Sequence, residues 1–328
     1  METLSFWSFE RWFLAMDMMM DIILHAGRSA IELSLFVLLP VMVVMLALMR
    51  LLEARGVLDI VVARLAPLLK PFGLTGLGVF AALQINFVSF AAPVATLAMM
   101  EGRGTSDRHL AATLAMVLAM AQANTVFPLL AMGLHFAPVL AMSLLGGLVA
   151  AAATYWGFGR SLSSEEHLLD DLPHHAQPAE GPKGVLDVIN RAGAEAFKIA
   201  IGAIPMLVLS LVAVTALQRL GVIDWITDAV APTLARLSID RAYVLPTITK
   251  YLAGGTAMLG VIDDMLRHGQ AGAALLNGGA GFLIHPLDVP GVAVLISAGR
   301  RVARVWRPAA LGAVAGILIR VLGHGLVS

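Results

Sequence analysis

Two oppositely charged residues stand in apolar sequence in the last third of the chain. Lys250 lies in the stretch Thr247-Ile248-Thr249-Lys250-Tyr251, and Asp288 follows the pair His285-Pro286. A lysine and a carboxylate that are shielded from water stabilise each other as a pair, and protonation of the carboxylate breaks that pair. His285 could pass protons to it, because imidazole titrates near neutrality. The alternative is that Lys250 extends to an aqueous surface while Asp288 only caps a half-helix.

A second group of polar residues in apolar surroundings is neutral. Such side chains can satisfy interrupted backbone, coordinate an ion or hydrogen-bond a sugar or a base, although each alone also fits a helix–helix contact. Together with the residues around Lys250 they form the predicted substrate- or ion-binding set: Gln84, Asn86, Ser89, Gln122, Asn124, Thr125, Thr247, Thr249, Lys250, Tyr251, His285 and Asp288.

The composition explains why these residues stand out. Of the 328 residues, 59% are hydrophobic and 13% are charged, and the mean hydropathy is +0.85. Soluble domains carry about twice that share of charge. Apolar runs such as 31–49, 110–132, 136–155 and 199–217 are long enough to cross a bilayer as helices. The sequence therefore predicts an all-α integral membrane protein whose polar residues within the spans mark a site.

Other classes of chemistry lack support in the sequence. There is no cysteine, and the formal net charge is zero with no basic stripe, so nucleic acid is not an expected partner. No nucleophile elbow, phosphate loop or zinc-binding motif occurs, and the histidines at 167, 174 and 175 have no metal-ligand spacing. We therefore expect no enzymatic activity, no cofactor and no metal centre.

The chain repeats itself. At a shift of 165, Pro40 meets Pro205, Gly56-Val57 meets Gly221-Val222, and Ala66-Pro67 meets Ala231-Pro232; at a shift of 162, Pro128 meets Pro290. Each copy has a long span (28–52, 190–218), a short amphipathic segment (56–70, 221–236) and a broken stretch (72–101, 239–266). A span interrupted at 123–125 or 285–287 and a closing span (136–158, 303–327) complete each copy.

The broken stretches decide the expected topology. Gly73, Gly76, Gly78 and Pro93 punctuate the first, and Pro246 and Gly254-Gly255 punctuate the second. Two half-length helices joined by a polar tip are typical of a re-entrant hairpin. Each copy then crosses the membrane an odd number of times, which predicts two inverted repeats. If the stretch 72–101 instead crosses once, the copies are parallel.

Lysine and arginine residues indicate the orientation and the boundaries. More of them flank the base of the first hairpin than the opposite side, where we count Arg320, so that base is predicted to be cytoplasmic. The predicted segments are an interfacial amphipathic helix (1–27), a first repeat (28–159), a cytoplasmic linker (160–186) and a second repeat (187–328). The inner membrane of a bacterial-type cell is the expected location, and apolar outer faces allow a homo-oligomer.

This order of elements, given twice over residues 28–327, resembles the core of concentrative nucleoside transporters. In length and in its Gly/Pro-punctuated hairpins the chain looks most like bacterial nucleoside-recognition, or gate, domain membrane proteins, a group that includes spore maturation proteins A and B and the gate regions of ferrous iron permeases. The resemblance implies a site between hairpin tips and broken helices, and suggests a nucleoside ligand. Concentrative nucleoside transporters place a carboxylate at the first hairpin tip, whereas residues 84–89 here read Gln-Ile-Asn-Phe-Val-Ser.

Three functions fit these features. The first is a secondary-transporter-like permease in the lipid bilayer for a small polar solute, nucleoside-like and coupled to protons rather than sodium. The second is a membrane partner or assembly protein that keeps the gate fold without transporting. The third is an ion or metal permease. The first hypothesis expects dispensable linkers and an indispensable region around Lys250 and Asp288. The second expects the interfacial helices and the linker to matter more than the middle of the membrane. The third expects metal flux that depends on methionines, His285 or Asp288.

Overall fold

The structure is a computed structural model that describes residues 3–165, 184–237 and 239–327, with side chains from residue 16 to residue 326 of those ranges. These residues form sixteen α-helices, and no β-strand occurs among them. The predicted cytoplasmic linker, 160–186, lies mostly outside the described residues. The all-helical prediction is confirmed for the part of the chain that the structure describes.

The first half of the chain begins with a long helical segment and contains two pairs of short helices. Its elements are α1 (Thr3–Glu32), a π-helical turn (Leu33–Leu38), α2 (Leu39–Ala54), α3 (Val57–Leu69), α4 (Gly76–Phe87), α5 (Pro93–Gly102), α6 (Asp107–Ala119), α7 (Ala123–Ala131) and α8 (Phe136–Ala153). We call α4 and α5 with the turn between them the first hairpin, and the gap between α6 and α7 the first break.

The second half has the same order of elements. They are α9 (Val185–Arg219), α10 (Val222–Arg236), α11 (Val244–Ala253), α12 (Gly255–Arg267), α13 (Ala273–Leu283), α14 (Val289–Ile296), the short α15 (Arg300–Arg304) and α16 (Trp306–Val327). We call α11 and α12 the second hairpin, and the gap between α13 and α14 the second break. The inverted orientation of the two halves stays a prediction.

Within the part of the chain that the structure describes, five helical segments are long and apolar enough to cross a membrane: Met16–Ala54, Asp107–Ala131, Phe136–Phe158, Val185–Arg219 and Trp306–Leu326. Gly76–Phe87 and Ala273–Leu283 are apolar but too short to do so alone. This pattern is that of a multi-pass membrane protein with half-length helices inside it.

Two of the predicted boundaries differ from the helix ends. The boundary after residue 27 falls inside α1, which continues to Glu32. Within α1, Asp21 forms an ion pair with Arg219 at the end of α9. An interfacial position for residues 1–27 remains a prediction. The first break lies at Met120–Gln122 instead of 123–125, because Asn124 and Thr125 form the first turn of α7. Polar residues are favoured there because the first N–H groups of a helix lack partners.

The buried apolar residues of the described helices form three clusters. Helix α6 is the centre of the first cluster, and its residues 110–119 are all fully buried against α8 and α16. Helices α8 and α16 approach closely at glycines, since a Cβ on Gly316 would lie 2.2 Å from the carbonyl oxygen of Gly146. The second cluster joins α1, α7, α9, α12 and α13. In the third and smallest cluster, Leu38, Met42 and Leu46 pack against an alanine stripe of α9, namely Ala192, Ala196 and Ala200.

Candidate functional site

A cavity of about 550 Å³ lies between the tips of the two hairpins. Its walls are the tip of the first hairpin (88–92), the tip of the second hairpin (253–257), the starts of α7 and α14, and one face of α9. A volume of this size is typical of small-molecule sites. Four of the predicted residues line it: Ser89, Gln122, Asn124 and Asp288.

The first hairpin tip is held by neutral hydrogen bonds. The backbone N–H of Phe90 donates to Asn124 Oδ1 over 3.2 Å, and the N–H of Ala92 donates to Ser89 Oγ over 3.3 Å. Proline at position 93 begins α5 and needs no partner for a missing N–H. Asn124 therefore joins the hairpin tip to the first break, as expected if these two elements share a site.

Two of the predicted residues in this half are used in packing and do not line the cavity. Gln84 Oε1 accepts a 2.7 Å hydrogen bond from Thr96 and so joins α4 to α5. Asn86 Oδ1 accepts a 2.7 Å bond from Ser143 Oγ, which in turn accepts the N–H of Ala121 in the first break. This chain of bonds satisfies backbone that the break leaves without a helical partner.

The second hairpin is held by an ion pair. Lys250 Nζ lies 2.8 Å from Asp288 Oδ2, and the two side chains are 0% and 3% exposed. Asp288 Oδ1 also accepts the N–H of Gly291 over 2.7 Å, so Asp288 both pairs with Lys250 and caps α14. The predicted contact is thus present. Lys250 does not extend to a surface, whereas the capping role foreseen for Asp288 is real.

The remaining residues of the predicted set do not line the cavity, and two of them, His285 and Tyr251, lie beside the ion pair. His285 Nδ1 lies 3.4 Å from Lys250 Nζ and accepts the N–H of Leu287, while its Nε2 is buried without a hydrogen-bond partner in the structure. The ring of Tyr251 lies 4.6 Å from Lys250 Nζ. Thr249 hydrogen-bonds to its own helix at Leu245, Thr247 is half-buried on α11, and Thr125 is fully buried in α7.

Sequence reasoning missed Arg320, which we had counted with the residues flanking the spans. The structure places it in the middle of the helix packing, 0% exposed. Its Nη1 donates to the carbonyl of Ala119, and its Nη2 donates to those of Ala280 and Ile284 over 3.2 and 2.8 Å. These carbonyls lie at the carboxyl ends of α6 and α13, where helices are partially negative. One arginine therefore offsets the partial negative charge of both helix ends. The signal in the sequence that could have predicted this role is the position of Arg320 within an apolar run.

Two further charged residues face the cavity from α9. Lys198 and Glu195 lie one turn apart on the face that also presents Gly202 and Met206. Glu195 Oε2 is bound by Arg50 Nη2 over 2.9 Å. Their position within a span was visible in the sequence, but the direction in which they point depends on how α9 packs.

Comparisons with known proteins identify the fold. No protein-family model and no curated protein matches this chain. Solved structures of CNTnw, a concentrative nucleoside transporter, do match. Its inward-facing substrate-bound state is 16% identical, covers 97% of this chain and 84% of its own, and has a TM-score of 0.65. An outward-facing state of a CNTnw variant is likewise 16% identical over 97% of this chain and 85% of its own, with a TM-score of 0.66. The chain therefore has the fold of a concentrative nucleoside transporter.

Proposed function

We propose that this protein is a secondary-transporter-like permease for a small polar, nucleoside-like solute, coupled to protons through Lys250 and Asp288. The observation that carries the proposal is the cavity itself. It lies between two hairpin tips and two helix breaks, and a buried ion pair joins a hairpin to a break beside it. CNTnw has been solved in inward-facing, outward-facing and intermediate states, which supports an alternating-access fold.

The ion pair supports coupling to protons. An unpaired charge at membrane depth costs about 3 kcal/mol or more, so the pair holds the second hairpin against the second break while both partners are charged. Protonation of Asp288 would release Lys250 and allow the hairpin to move. His285, whose Nδ1 lies 3.4 Å from Lys250 Nζ, is placed to relay that proton. The first hairpin tip has no carboxylate at 84–89, which argues against sodium–nucleoside symport of the usual kind.

The arrangement in the membrane belongs to the same proposal. We place the chain in a bacterial-type inner membrane with inverted repeats and with the linker in the cytoplasm, as the gate-family resemblance also suggests. The chain has no cysteine, so single introduced cysteines report cleanly. Ser163→Cys in the linker should react with an impermeant maleimide only after the cells are opened. Gln270→Cys, at the base of the second hairpin, should react in intact cells, and labelling of both on one side would contradict the inverted plan.

Uptake into proteoliposomes tests the transport function. The purified chain is reconstituted with a pH gradient, and uptake of labelled uridine, adenosine and uracil is followed for the wild type and for Lys250→Ala and Asp288→Asn. Arg219→Ala is the control, because it removes an exposed ion pair with Asp21. We expect gradient-driven uptake in wild type and control, and its loss in both site variants. Uptake that ignores the gradient would refute proton coupling, and no uptake of any probe would refute the permease for nucleoside-like solutes.

A further inference from the structure

The end of the chain carries arginines and no acidic residue. After Asp288 the sequence contains neither aspartate nor glutamate, but it contains five arginines, at positions 300, 301, 304, 307 and 320. Arg320 is buried at the helix breaks, whereas the other four lie in α15 and in the first turn of α16. The segment 300–307 therefore concentrates positive charge at one end of the last helix that is long and apolar enough to cross the membrane.

One of these four arginines is used inside the protein. Arg301 Nε donates to Asp107 Oδ1 over 2.8 Å. The backbone N–H groups of Arg301 and Val302 donate to Glu101 Oε2 over 3.0 and 3.1 Å. Among the described residues, Asp107 and Glu101 are thus the carboxylates that contact the segment. Because it holds four arginines, it stays positively charged after both carboxylates are counted.

The other three arginines form one exposed face. Arg300, Arg304 and Arg307 are exposed, and none of them has an acidic partner within the ranges that the structure describes. Between them, Val302 and Val305 are 0% and 1% exposed and belong to the first cluster. Buried and exposed residues alternate here at helical spacing, so the arginines face away from the protein. Guanidinium groups bind phosphate oxygens through their planar array of N–H donors, and such a face favours a ligand that carries phosphate.

Aromatic side chains place this face at the membrane surface. Gly312, near the start of α16, lies against Thr154 just past the end of α8, so these two helix ends are neighbours. Each end presents an exposed tryptophan, because Trp156 is 61% exposed and Trp306 is 39% exposed. Tryptophan is enriched at the level of the lipid headgroups. The arginine face adjoins Trp306 and is therefore expected at the depth of the lipid phosphates.

We propose that Arg300, Arg304 and Arg307 bind the phosphate of an anionic phospholipid at the surface of the bilayer. Lipid binding at this face goes beyond the permease function and does not depend on it. A lipid fits better than a soluble anion, because the tryptophans hold the arginines at headgroup depth, where basic residues attract anionic lipids. The bound lipid would fix the depth of α16, the helix that carries Arg320 to both breaks.

Binding of two matched lipids to the purified full chain tests this site. Phosphatidylglycerol and phosphatidylcholine with the same acyl chains both carry one phosphate, but only the first has a net negative charge. Lipid bound to the protein is measured by native mass spectrometry. We expect the wild type to bind phosphatidylglycerol about tenfold or more tighter than phosphatidylcholine. The triple variant Arg300→Gln, Arg304→Gln and Arg307→Gln should lose that preference.

A control variant removes the same amount of charge on the same predicted side of the membrane. Arg55→Gln, Arg64→Gln and Lys70→Gln together change three exposed cations in and beside α3. The preference for phosphatidylglycerol should persist in this control. Because all six side chains are exposed, both triple variants should keep the melting temperature of the wild type in detergent without added lipid, which separates lost binding from lost folding.

The outcomes decide between a lipid site and its alternatives. Loss of the preference in the arginine variant alone supports the site. Equal binding of the two lipids by the wild type overturns it, and so does an equal loss of preference in the control, which would show that only total surface charge matters. If soluble polyglutamate binds the wild type in phosphatidylcholine nanodiscs while phosphatidylglycerol has no advantage, the face binds an acidic protein segment and the lipid is refuted.

Discussion

The two helix breaks meet the same physical demand with different chemistry. At the first break, neutral groups do the work, with Asn124 bound to the backbone of Phe90 and Asn86 bound to Ser143. At the second break, Lys250 and Asp288 form a buried ion pair. Both breaks lie inside the helix packing, where backbone groups need partners. A neutral amide keeps its hydrogen bonds across the physiological pH range, whereas an ion pair is lost when its carboxylate gains a proton.

This difference suggests a division of labour. The first hairpin and first break are joined by bonds that no single proton changes, so they are suited to a constant support. The second hairpin is joined to its break by charges that a proton can separate, so it is suited to move. Arg320 contacts the carboxyl ends of α6 and α13 and therefore belongs to both breaks. Substitutions that remove the hydrogen bonds of the first break or the ion pair of the second should show this difference.

The largest effect on stability is expected from Arg320→Met, which removes hydrogen bonds at both breaks. Three buried carbonyl groups lose a hydrogen bond, and among the residues that the structure describes only that of Ala280 keeps another donor, the N–H of Ile284. At about 1–3 kcal/mol for each lost bond, unfolding should become easier by about 5 kcal/mol. Chemical unfolding of the purified protein in detergent measures the change. Arg219→Met, which removes an exposed charge at the end of α9, is the control. A loss below about 1 kcal/mol would show that the breaks do not depend on this arginine.

The next largest effect is expected when the Lys250–Asp288 ion pair alone is changed. Lys250→Ala leaves Asp288 buried without its partner, which should destabilise the fold by about 3–5 kcal/mol. Combining Lys250→Met with Asp288→Asn removes both charges and keeps an oxygen to cap α14, so much of the stability should return. A double-mutant cycle in the same unfolding assay measures the coupling. Equal losses in the single and double variants would mean that the ion pair contributes little.

A smaller effect is expected at the neutral hydrogen bond between Asn86 and Ser143. Asn86→Leu removes the acceptor of Ser143 and a buried amide, and should cost about 1–3 kcal/mol. Because no titrating group takes part in this bond, the cost should be equal at about pH 5 and pH 8. Thermal unfolding at both pH values measures it. A pH-dependent cost at Asn86 would remove the proposed contrast between the two breaks.

The smallest effect is expected for Thr125→Val. The hydroxyl of Thr125 is buried without a partner, so replacing it with a methyl group of similar shape should change stability by less than about 0.5 kcal/mol, or increase it. Thr249→Val is the matched control, because that hydroxyl donates to Leu245 within α11. Destabilisation of Thr125→Val beyond about 1 kcal/mol would mean that its hydroxyl already has a hydrogen-bond partner.

The local signals in the sequence predicted the elements. Apolar runs predicted the spans, and glycines and prolines around 73–93 and 246–255 predicted the hairpins, which the structure shows as α4–α5 and α11–α12. The break at 285–287 was placed correctly, and Lys250 and Asp288 were singled out as a pair. These features are visible because burial, helix termination and charge in apolar surroundings leave their marks within a few neighbouring residues.

The sequence by itself determined that this is a helical membrane protein with two interrupted halves and an ionisable pair at one interruption. Only the tertiary structure decided which polar residues face a cavity. In the structure Asn86 bonds to Ser143 within the helix packing, Lys198 lines the cavity, and Arg320 lies between α6 and α13. The physical reason is that the direction of a side chain depends on the rotation and packing of helices far apart in the chain, and a local pattern carries no record of that.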